Sequence, residues 1–560
     1  MNNPLVELKE YEDLQEALKR EKGPVQATGC MDSQKVQLMY ELGTPYSWKL
    51  VVTYDETRAR ELYDDFKNFT SNVWLYPAKD LLFFSADIHG NLMVRERLAV
   101  LRRLLEEPEG IVITTVDGLM DHLIPLENLA GQVLTVKAGE TIDLHKWRKA
   151  LTALGYENMV QVDGMAQFSM RGGIIDVFPL TEETPVRIEL WDDEVDSIRT
   201  FDLESQRSIE QLDEISIYPA AEVAVDQENL SAGIERLEKE AASYEKALRG
   251  QRKIEEASRI RGIIGELTEG IKEGWKLHGL DGYIKYFYTD TVSFLDYFLD
   301  EKGLIFLDEP LRLKEKGETV EAEFRESMVQ RLEKGYLLPG QTELLYPARE
   351  ILARSQTNRT VYLTGLDQNL PGMTVHEKFG FTVKNVNSYQ NSFEMLIKDL
   401  TRWKKDGYRV VLLSASRTRA SRLAGDLREY GLKAYCPDEN QNDNTVRPGE
   451  ILVVYGNLHR GFEYPLIKFV VITEGDMFGV EKKKRKRKKT SYQGKKIQSF
   501  SELSVGDYVV HEDHGVGIYR GIEKIEQDHV VKDYIKIEYG DGGNLYLPAT
   551  RLEGIQKYAG

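Results

Sequence analysis

The chain has 560 residues, of which 41% are hydrophobic and 30% charged, and its formal net charge is −18. This length is too great for one hydrophobic core, so the composition predicts several ordinary globular domains and excludes a fibrous or disordered protein. The negative charge excludes a protein that coats nucleic acid with its whole surface, so any contact with nucleic acid must be local.

The two cysteines, Cys30 and Cys436, are far apart and form neither a CxxC pair nor a metal-ligand spacing. This usage is typical of a reducing compartment. The N-terminus has no basic segment followed by an apolar one, and no stretch of about eighteen apolar residues occurs. We therefore expect a cytoplasmic protein without a secretion signal, a membrane partner or a bound metal.

Residues 1–122 alternate between amphipathic helices and short apolar runs, which is the pattern of an α/β nucleotide-fold domain. Leu8, Tyr11, Leu14 and Leu18 have the spacing of one helix face. The other elements that the pattern predicts are buried parallel strands at Trp48–Tyr54 and Gly110–Val116, and charged helices at Glu56–Asn68 and Met93–Glu107.

Residues 123–217 change to short strands joined by polar turns and predict an inserted α+β domain. The predicted strands are Ile174–Phe178, Val186–Trp191 and Ile198–Phe201. Residues 218–354 are mostly helical, and the apolar strand Gly303–Leu307 indicates that the first domain resumes there.

Residues 355–480 return to the α/β alternation and predict a second α/β domain. Its predicted elements are strands at Thr360–Leu363, Arg409–Leu413, Glu450–Tyr455 and Phe469–Thr473 and a helix with one apolar face from Phe393 to Trp403.

Residues 481–499 contain Lys482–Lys489, eight consecutive basic residues that cannot pack together and predict a solvated linker. The run could also contact nucleic acid or act as a nuclear address. Residues 500–560 alternate between apolar and polar residues bounded by glycine turns, which predicts a small, strongly bent antiparallel sheet or barrel. This tail has eleven acidic and six basic residues, so we expect a protein partner at an exposed strand edge. The predicted fold is thus multidomain α/β: a degenerate P-loop-like domain with an inserted α+β domain, a second α/β domain and a C-terminal β-sheet.

The segment Gln26–Lys35 has fragments of a phosphate-binding loop. Gly29 and Lys35 are present, but the segment lacks the Gly-Lys-Ser/Thr sequence, and Asp32 would place a negative charge where phosphates lie. We expect a loop that does not bind nucleotide. The strand that ends in Asp308 and Glu309 would position Mg²⁺ and water in an ATPase, but without a competent loop we expect a turn with solvated acids.

The acidic run Trp191–Asp196 lies between two predicted strands. Clustered carboxylates can bind a divalent metal, but Ser197–Phe201 alternates like a hairpin partner, so we expect an exposed turn. Beside it, Arg187 and Trp191 share one strand face and, with Arg171, belong to the residue types that dominate protein interfaces. No residue of the chain is predicted to be catalytic.

The sequence Met170–Pro179, followed by Arg187–Glu189 and Asp193–Arg199, resembles the UvrA-binding domain shared by UvrB and the bacterial transcription-repair coupling factors, the Mfd family. Val510–Gly517 and the residues through Gly560 resemble the RNA-polymerase-interacting domain that this family shares with CarD. Ile472–Gly479 is similar to the end of the family's third domain, so the resemblance covers nearly the whole chain.

In that family, ATP-driven DNA translocase motors follow the polymerase-binding domain. The chain stops where they would begin, so we expect a truncated chain or an incomplete gene. The resemblance then implies that ATP, Mg²⁺ and most contact with double-stranded DNA belong to the absent motors, and that this part binds no cofactor. It also implies UvrB-like domains at 1–122 (1a), 123–217 (2) and 218–354 (1b). The tyrosine-rich hairpin with which UvrB clamps DNA is lacking at Leu81–Asn91.

The resemblance implies the roles of individual residues. Arg171, Arg187 and Trp191 align with the family's UvrA contacts. The strand edge near Arg520–Glu526 aligns with the strand that pairs with the polymerase β subunit. The residues of that edge assigned to polymerase binding are Arg520, Ile522, Lys524 and Ile525, with Ile525 as the apolar anchor.

The expected function is that of an adaptor, which docks on stalled RNA polymerase through residues 500–560 and recruits UvrA through residues 123–217. The alternative is an enzyme, a UvrB-like ATP-dependent helicase that acts on damaged DNA and would need nucleotide at Thr28–Lys35. A third hypothesis makes Lys482–Lys489 a nucleic-acid-binding or targeting element.

Overall fold

A computed structural model of the protein describes residues 3–79, 91–225, 227–273, 280–300, 303–437, 445–479 and 494–496, and residues 503, 505–511, 515–527, 530–538, 544–548 and 555–558 near the C-terminus. The predictions for Lys482–Lys489, for residues 81–90 and for residues 512–514 lie outside this part. No helix in the described ranges is both long and apolar enough to cross a membrane. The same ranges contain no cluster of three or more side chains that could hold a metal ion.

The first 122 residues form the predicted alternation of helices and strands. The helix predicted from Leu8 to Leu18 is amphipathic and buries Tyr11, Leu14 and Leu18. The elements are α1 (Lys9–Arg20), β1 (Val25–Thr28), α2 (Asp32–Gly43), β2 (Trp48–Thr53), α3 (Glu56–Phe66), β3 (Val73–Tyr76), α4 (Asn91–Glu106) and β4 (Gly110–Thr115).

The next segment forms the predicted inserted β-rich domain, with α5 (Leu126–Ala130), β5 (Leu134–Lys137), α6 (Leu144–Ala153), β6 (Glu157–Asn158), β7 (Gln167–Arg171), β8 (Ile174–Phe178), β9 (Val186–Trp191), β10 (Glu194–Phe201), β11 (Ser208–Leu212) and β12 (Glu214–Ile217). Among the described strands, β6 to β11 form one sheet in sequential order, and β12 pairs with β5. Phe168, Ile175, Val177 and Ile188 cover one face of the larger sheet and are fully buried. The other face is largely polar, as the alternation of strand residues predicts, although it also carries the buried Phe201.

The chain then returns to the first sheet. It forms α7 (Gln227–Gly250), α8 (Ile254–Glu273), α9 (Ile284–Phe287), β13 (Gly303–Asp308), α10 (Pro310–Glu333), α11 (Ala348–Arg354), β14 (Thr360–Thr364) and β15 (Glu377–Gly380). The strand order is β15-β1-β14-β13-β2-β4-β3, and each neighbouring pair is parallel. The prediction that the first domain resumes at the strand beginning with Gly303 is therefore confirmed.

One strand was assigned to the wrong sheet. The sequence pattern placed Thr360–Leu363 in the second α/β domain, but β14 lies between β1 and β13 in the first sheet. An apolar strand that is buried on both faces carries no signal of its neighbours, because every parallel strand of this kind has the same composition.

The second α/β unit consists of β16 (Lys384–Asn385), α12 (Phe393–Asp406), β17 (Arg409–Ser414), α13 (Arg417–Glu429), β18 (Ala434–Tyr435), β19 (Ile451–Tyr455), β20 (Phe462–Tyr464), β21 (Phe469–Ile472) and α14 (Glu474–Phe478). The described strands have the order β16-β20-β21-β17-β19-β18. Leu396 and Leu427, from α12 and α13, pack on one face of the sheet. Val411 and Leu452 on the other face belong to the same core as Val25 in the first sheet. The two α/β units therefore share one hydrophobic core.

The C-terminal segment forms the predicted antiparallel sheet, with β22 (Gly494–Lys496), β23 (Tyr508–His511), β24 (Gly515–Gln527), β25 (Val530–Glu538), β26 (Asn544–Pro548) and β27 (Ile555–Tyr558). The order among the described residues is β22-β27-β23-β24-β25-β26. Because Gly494–Lys496 pairs with β27, the sheet includes residues that the sequence had placed in the linker.

Candidate functional sites

The remnant of the phosphate-binding loop is a tight connection between β1 and α2. Gly29 has φ +74, and a Cβ at this position would overlap the carbonyl oxygen of Phe381. The Phe381 N–H donates to the Thr28 carbonyl at 2.8 Å, which holds the chain after β15 against the loop. Glycine is thus required here by the approach of a neighbouring backbone rather than by a phosphate.

Lys35, the cation of the remnant, is bound by the chain's own carboxylates. Its Nζ lies 2.6 Å from Asp308 Oδ1 and 2.7 Å from Glu309 Oε1. The side chains of Lys35 and Asp308 are 5% and 0% exposed. The prediction that Asp308 and Glu309 are solvated acids in a turn is therefore wrong. Asp308 ends a central strand between β2 and β14, and its partner lies 273 residues away in sequence, beyond what local pattern can reveal.

The remaining oxygen of Asp308 is also satisfied. It accepts hydrogen bonds from Thr53 Oγ1 at 3.1 Å and from Arg58 Nε at 3.4 Å. Glu309 Oε1 accepts the Gly365 N–H at 2.8 Å. Burial opposes the charged forms, but the neighbouring opposite charges outweigh it, so the pKa of Lys35 is raised and that of Asp308 is lowered. This network ties together the carboxyl ends of β1, β2, β13 and β14.

The second α/β unit covers the same edge of the first sheet. The Arg460 N–H donates to Ser33 Oγ at 3.0 Å, at the start of α2. The His459 backbone N–H and its Nδ1 both lie 2.8 Å from Oδ1 of the buried Asp65. The hydrogen bond to Asp65 raises the pKa of His459. The second α/β unit thus covers the start of α2. In a functional phosphate-binding loop, this position is open to the nucleotide.

A second buried charge cluster ties the inserted domain to the first unit. Arg97 lies 2.5 Å from Glu222 and 2.9 Å from Asp121, and Lys79 lies 2.8 Å from both Glu222 and Asp281. Glu222 follows the last strand of the inserted domain, so these ion pairs fix the junction at which that domain returns to the frame. Each charge has an opposite partner, and we assign the cluster a structural role.

Two of the predicted interface residues meet on the polar face of the inserted sheet. Arg187 donates from Nε to Asp176 Oδ1 at 2.6 Å and from Nη2 to Asp176 Oδ2 at 2.9 Å. Arg171 Nη2 donates to Asp176 Oδ2 at 3.2 Å. Asp176 was not among the predicted site residues. An acidic residue at an outward strand position, facing an arginine on the next strand, is the signal that could have identified it.

Trp191, the third predicted residue, ends β9 and is 82% exposed. It pairs with Glu194 across a two-residue turn in which Asp192 has φ +61. The prediction of an exposed hairpin turn is confirmed. A large exposed aromatic side chain on the same strand as Arg187 is the composition expected of a protein-binding surface.

In the C-terminal sheet, β24 has a different number of partners along its length. It pairs with β23 over Gly515–Ile518 and with β25 over Ile518–Gln527. A bulge at Arg520 and Gly521, where Gly521 has φ +100, interrupts the pairing with β25. Among the described strands, none pairs with the remaining edge of Ile522–Gln527. Within the described residues, the main-chain hydrogen-bonding groups along this predicted docking edge therefore have no strand partner, and we call it the open edge.

The side chains of this edge are only partly described. Arg520 is exposed and donates to Glu538 Oε2 at 2.6 Å, and Ile522 is half-buried. The side chains of Lys524 and Ile525 lie outside the described part, although their backbone belongs to β24.

Two segments of the chain match family models. Residues 134–222 match the UvrB interaction domain, and residues 503–559 match the CarD-like/TRCF RID domain. The first segment contains the Arg171–Asp176–Arg187 cluster, and the second contains the open edge of β24. The chain is therefore a multidomain α/β protein with two protein-interaction modules.

Curated proteins that match more than nine tenths of the chain point to the same kind of protein as the two family models. They include the transcription-repair-coupling factors of Bacillus subtilis (32% identical over 512 residues), Staphylococcus haemolyticus (31% over 516) and a strain of Staphylococcus aureus (30% over 539). The matches cover 91%, 91% and 95% of this chain and 43%, 43% and 45% of the relatives. The chain matches the N-terminal half of the transcription-repair coupling factors and spans less than half the length of these relatives.

Proposed function

We propose that the chain is the adaptor part of a transcription-repair coupling factor, which links stalled RNA polymerase to nucleotide excision repair. In this function, residues 500–560 bind the polymerase β subunit and residues 123–217 recruit UvrA. The observation that carries the proposal is the presence of two interaction modules on a frame whose nucleotide-site remnant is filled by the Lys35–Asp308–Glu309 ion pairs. The proposal includes a cytoplasmic location in a bacterium.

The UvrA contact is assigned to Arg171, Arg187 and Trp191. Interface arginines and tryptophans at hot spots cost about 2 kcal/mol or more on truncation, which is about 30-fold in affinity. Arg171→Ala and Trp191→Ala should therefore weaken UvrA binding by at least about tenfold in a titration of the chain. Lys137→Ala, which removes an exposed cation of the same domain that pairs with Glu214, is the matched control and should bind as the parent does. If Arg171→Ala and Trp191→Ala bind UvrA with unchanged affinity, the assignment of the UvrA contact to these residues is wrong.

The polymerase contact is assigned to strand addition at the open edge of β24. In that mode, main-chain hydrogen bonds supply affinity, and a charge placed among the edge side chains opposes docking. Ile525→Arg should abolish capture of the polymerase β subunit. Tyr508→Arg changes an exposed residue on β23, away from that edge, and should leave capture intact. Capture by the Ile525 variant would place the site elsewhere.

The alternative, a UvrB-like helicase, requires ATP at Thr28–Lys35. Nucleotide would have to displace Lys35 from its ion pairs with Asp308 and Glu309 before the lysine could contact a phosphate. We propose that this part of the protein binds no nucleotide and that ATP and Mg²⁺ act only in the motor of longer family members. A fluorescent ATP analogue that binds at micromolar concentration, with affinity lost in Lys35→Met, would favour the helicase instead.

A further inference from the structure

Asp176 is buried on the largely polar face of the sheet, directly opposite the buried Ser169 and near the buried Phe201. It stands directly opposite Arg187 in the β8–β9 pairing, while its neighbours Ile175 and Val177 point into the core. The carboxylate is 1% exposed because the guanidinium groups of Arg187 and Arg171 cover it. One carboxylate is thus shared by two arginines.

Arg187 is held from other directions as well. Its Nη2 donates to Gln206 Oε1 at 3.0 Å, and its Cζ lies 4.5 Å from the centroid of the Phe201 ring. Gln206 is itself fixed by a hydrogen bond from its side chain to the Leu203 carbonyl at 2.8 Å. No described residue accepts a hydrogen bond from Nη1 of Arg187, so both N–H groups of this nitrogen are available to a ligand.

The cluster has a surplus of positive charge. Arg171 and Arg187 share one carboxylate, whereas the neighbouring Arg199 forms a one-to-one pair with Glu189 at 2.5 Å. Arg171 is 49% exposed and makes a single contact with Asp176. The surplus charge and the available donors fit a carboxylate group on the partner, because guanidinium groups bind carboxylates with a fixed planar geometry.

We propose that Asp176 is a positioning residue, which holds Arg171 and Arg187 in the conformations that receive an acidic group of UvrA. The inference rests on the proposed function, in which these arginines contact UvrA. An arginine that must be ordered during binding loses affinity, and a group that orders it beforehand removes that cost. Asp176 also places a negative charge near an acidic partner. This charge weakens the long-range electrostatic attraction between the chain and UvrA, whereas the positioning of the arginines stabilises the complex once it has formed.

The two effects separate in the kinetics. Asp176→Asn in the full 560-residue chain keeps the size of the side chain and removes its charge. We expect UvrA to dissociate roughly tenfold faster, because two arginines lose their fixed positions, and to associate at an unchanged or higher rate. Surface plasmon resonance with immobilised UvrA measures both rates. A general loss of structure would instead lower the active fraction and slow association.

A double-mutant cycle tests whether Asp176 acts through Arg187. In an Arg187→Ala background, Asp176→Asn should lower affinity by clearly less than in the parent, because one of its two targets is gone. Glu189→Gln, which breaks the neighbouring Arg199 pair on the same face, is the matched control and should change affinity by less than about twofold. Thermal unfolding of each variant shows whether the domain remains folded.

Each outcome bears on one of the two proposals. If Arg187→Ala and Arg171→Ala bind UvrA normally, the proposed function fails. If those variants bind weakly but Asp176→Asn dissociates at the parental rate, the positioning role fails. It also fails if the effects of Asp176→Asn and Arg187→Ala simply add, or if Glu189→Gln is as harmful as Asp176→Asn.

Discussion

The ion pairs that fill the nucleotide-site remnant should contribute strongly to stability, and Asp308→Asn tests this directly. The substitution keeps the shape of a fully buried side chain but removes the charge that Lys35 Nζ contacts at 2.6 Å and Arg58 Nε at 3.4 Å. Lys35 then retains Glu309 at 2.7 Å, and Arg58 retains Glu61 at 3.1 Å.

The expected magnitude follows from these contacts. Removal of one partner from a buried ion pair costs about 3–5 kcal/mol, because the other charge stays buried without compensation. Here Glu309 and Glu61 compensate in part, so we expect a loss near the lower end, about 3 kcal/mol. Urea unfolding followed by far-ultraviolet circular dichroism measures it. With a urea m-value of about 3 kcal/mol/M or more, the midpoint should fall by up to about 1 M.

Two further variants make the result specific. Lys35→Met combined with Asp308→Asn removes both charges and should recover part of the loss, because no unpaired charge is then left between them. Glu318→Gln breaks an exposed pair with Lys314 and should cost less than about 1 kcal/mol. If Asp308→Asn unfolds at the parental midpoint, or at that of Glu318→Gln, the remnant network does not hold the first sheet together.

The same network makes a prediction about pH. The folded-state pKa of Asp308 is lowered by Lys35 and Arg58, which outweigh burial. Its contribution to stability is therefore full above the unfolded pKa of about 4 and is lost as the pH falls through the lower folded value. The difference between the parent and Asp308→Asn should be largest near neutral pH and should shrink in acid.

Two other features give predictions of the same kind. The hydrogen bond to Asp65 raises the pKa of His459 in the folded protein. The contribution of this pair to the free energy of unfolding should therefore be full below the unfolded pKa of about 6.5 and should be lost as the pH rises through the folded pKa. Urea unfolding at pH 6 and pH 8 should show this loss of stability in the parent and not in His459→Gln. Gly29→Ala should destabilise the chain by clearly more than the roughly 1 kcal/mol expected for Gly372→Ala, because both have positive φ but only position 29 has the Phe381 carbonyl in the way. Equal thermal midpoints for the two variants would contradict that explanation.

Much of the local structure was predictable from hydrophobic patterning. The helix that begins at Lys9, the strand that begins at Trp48 and the hairpin that follows Trp191 all form within a few residues of their predicted positions. Their apolar spacing and turn residues act between near neighbours in the chain, and those interactions are visible in any window of sequence. The wrong assignment of β14 has the opposite cause, because strand order depends on contacts between distant segments.

The sequence also predicted the residue types of the candidate sites better than the partners of those residues in the folded protein. It marked Arg171, Arg187 and Trp191 by residue type and resemblance, but the acid that holds both arginines was missed. It likewise showed that the nucleotide motif around Lys35 was incomplete, while the burial of Asp308 was not foreseen. Strand register decides the pairing of Asp176 with Arg187, and the packing of α2 against the end of β13 decides the pairing of Lys35 with Asp308.

By itself, the sequence determined the kinds of domain in this protein, the family resemblance and the residue types at its two interaction modules, because these follow from composition, local periodicity and short motifs. The tertiary structure decided which strands share a sheet, which charges are buried and which edge of β24 is left open. Those properties depend on contacts between segments that are separate in the sequence, from neighbouring strands in the case of Asp176 and Arg187 to segments 273 residues apart in the case of Lys35 and Asp308, and burial sets the energy of each such contact.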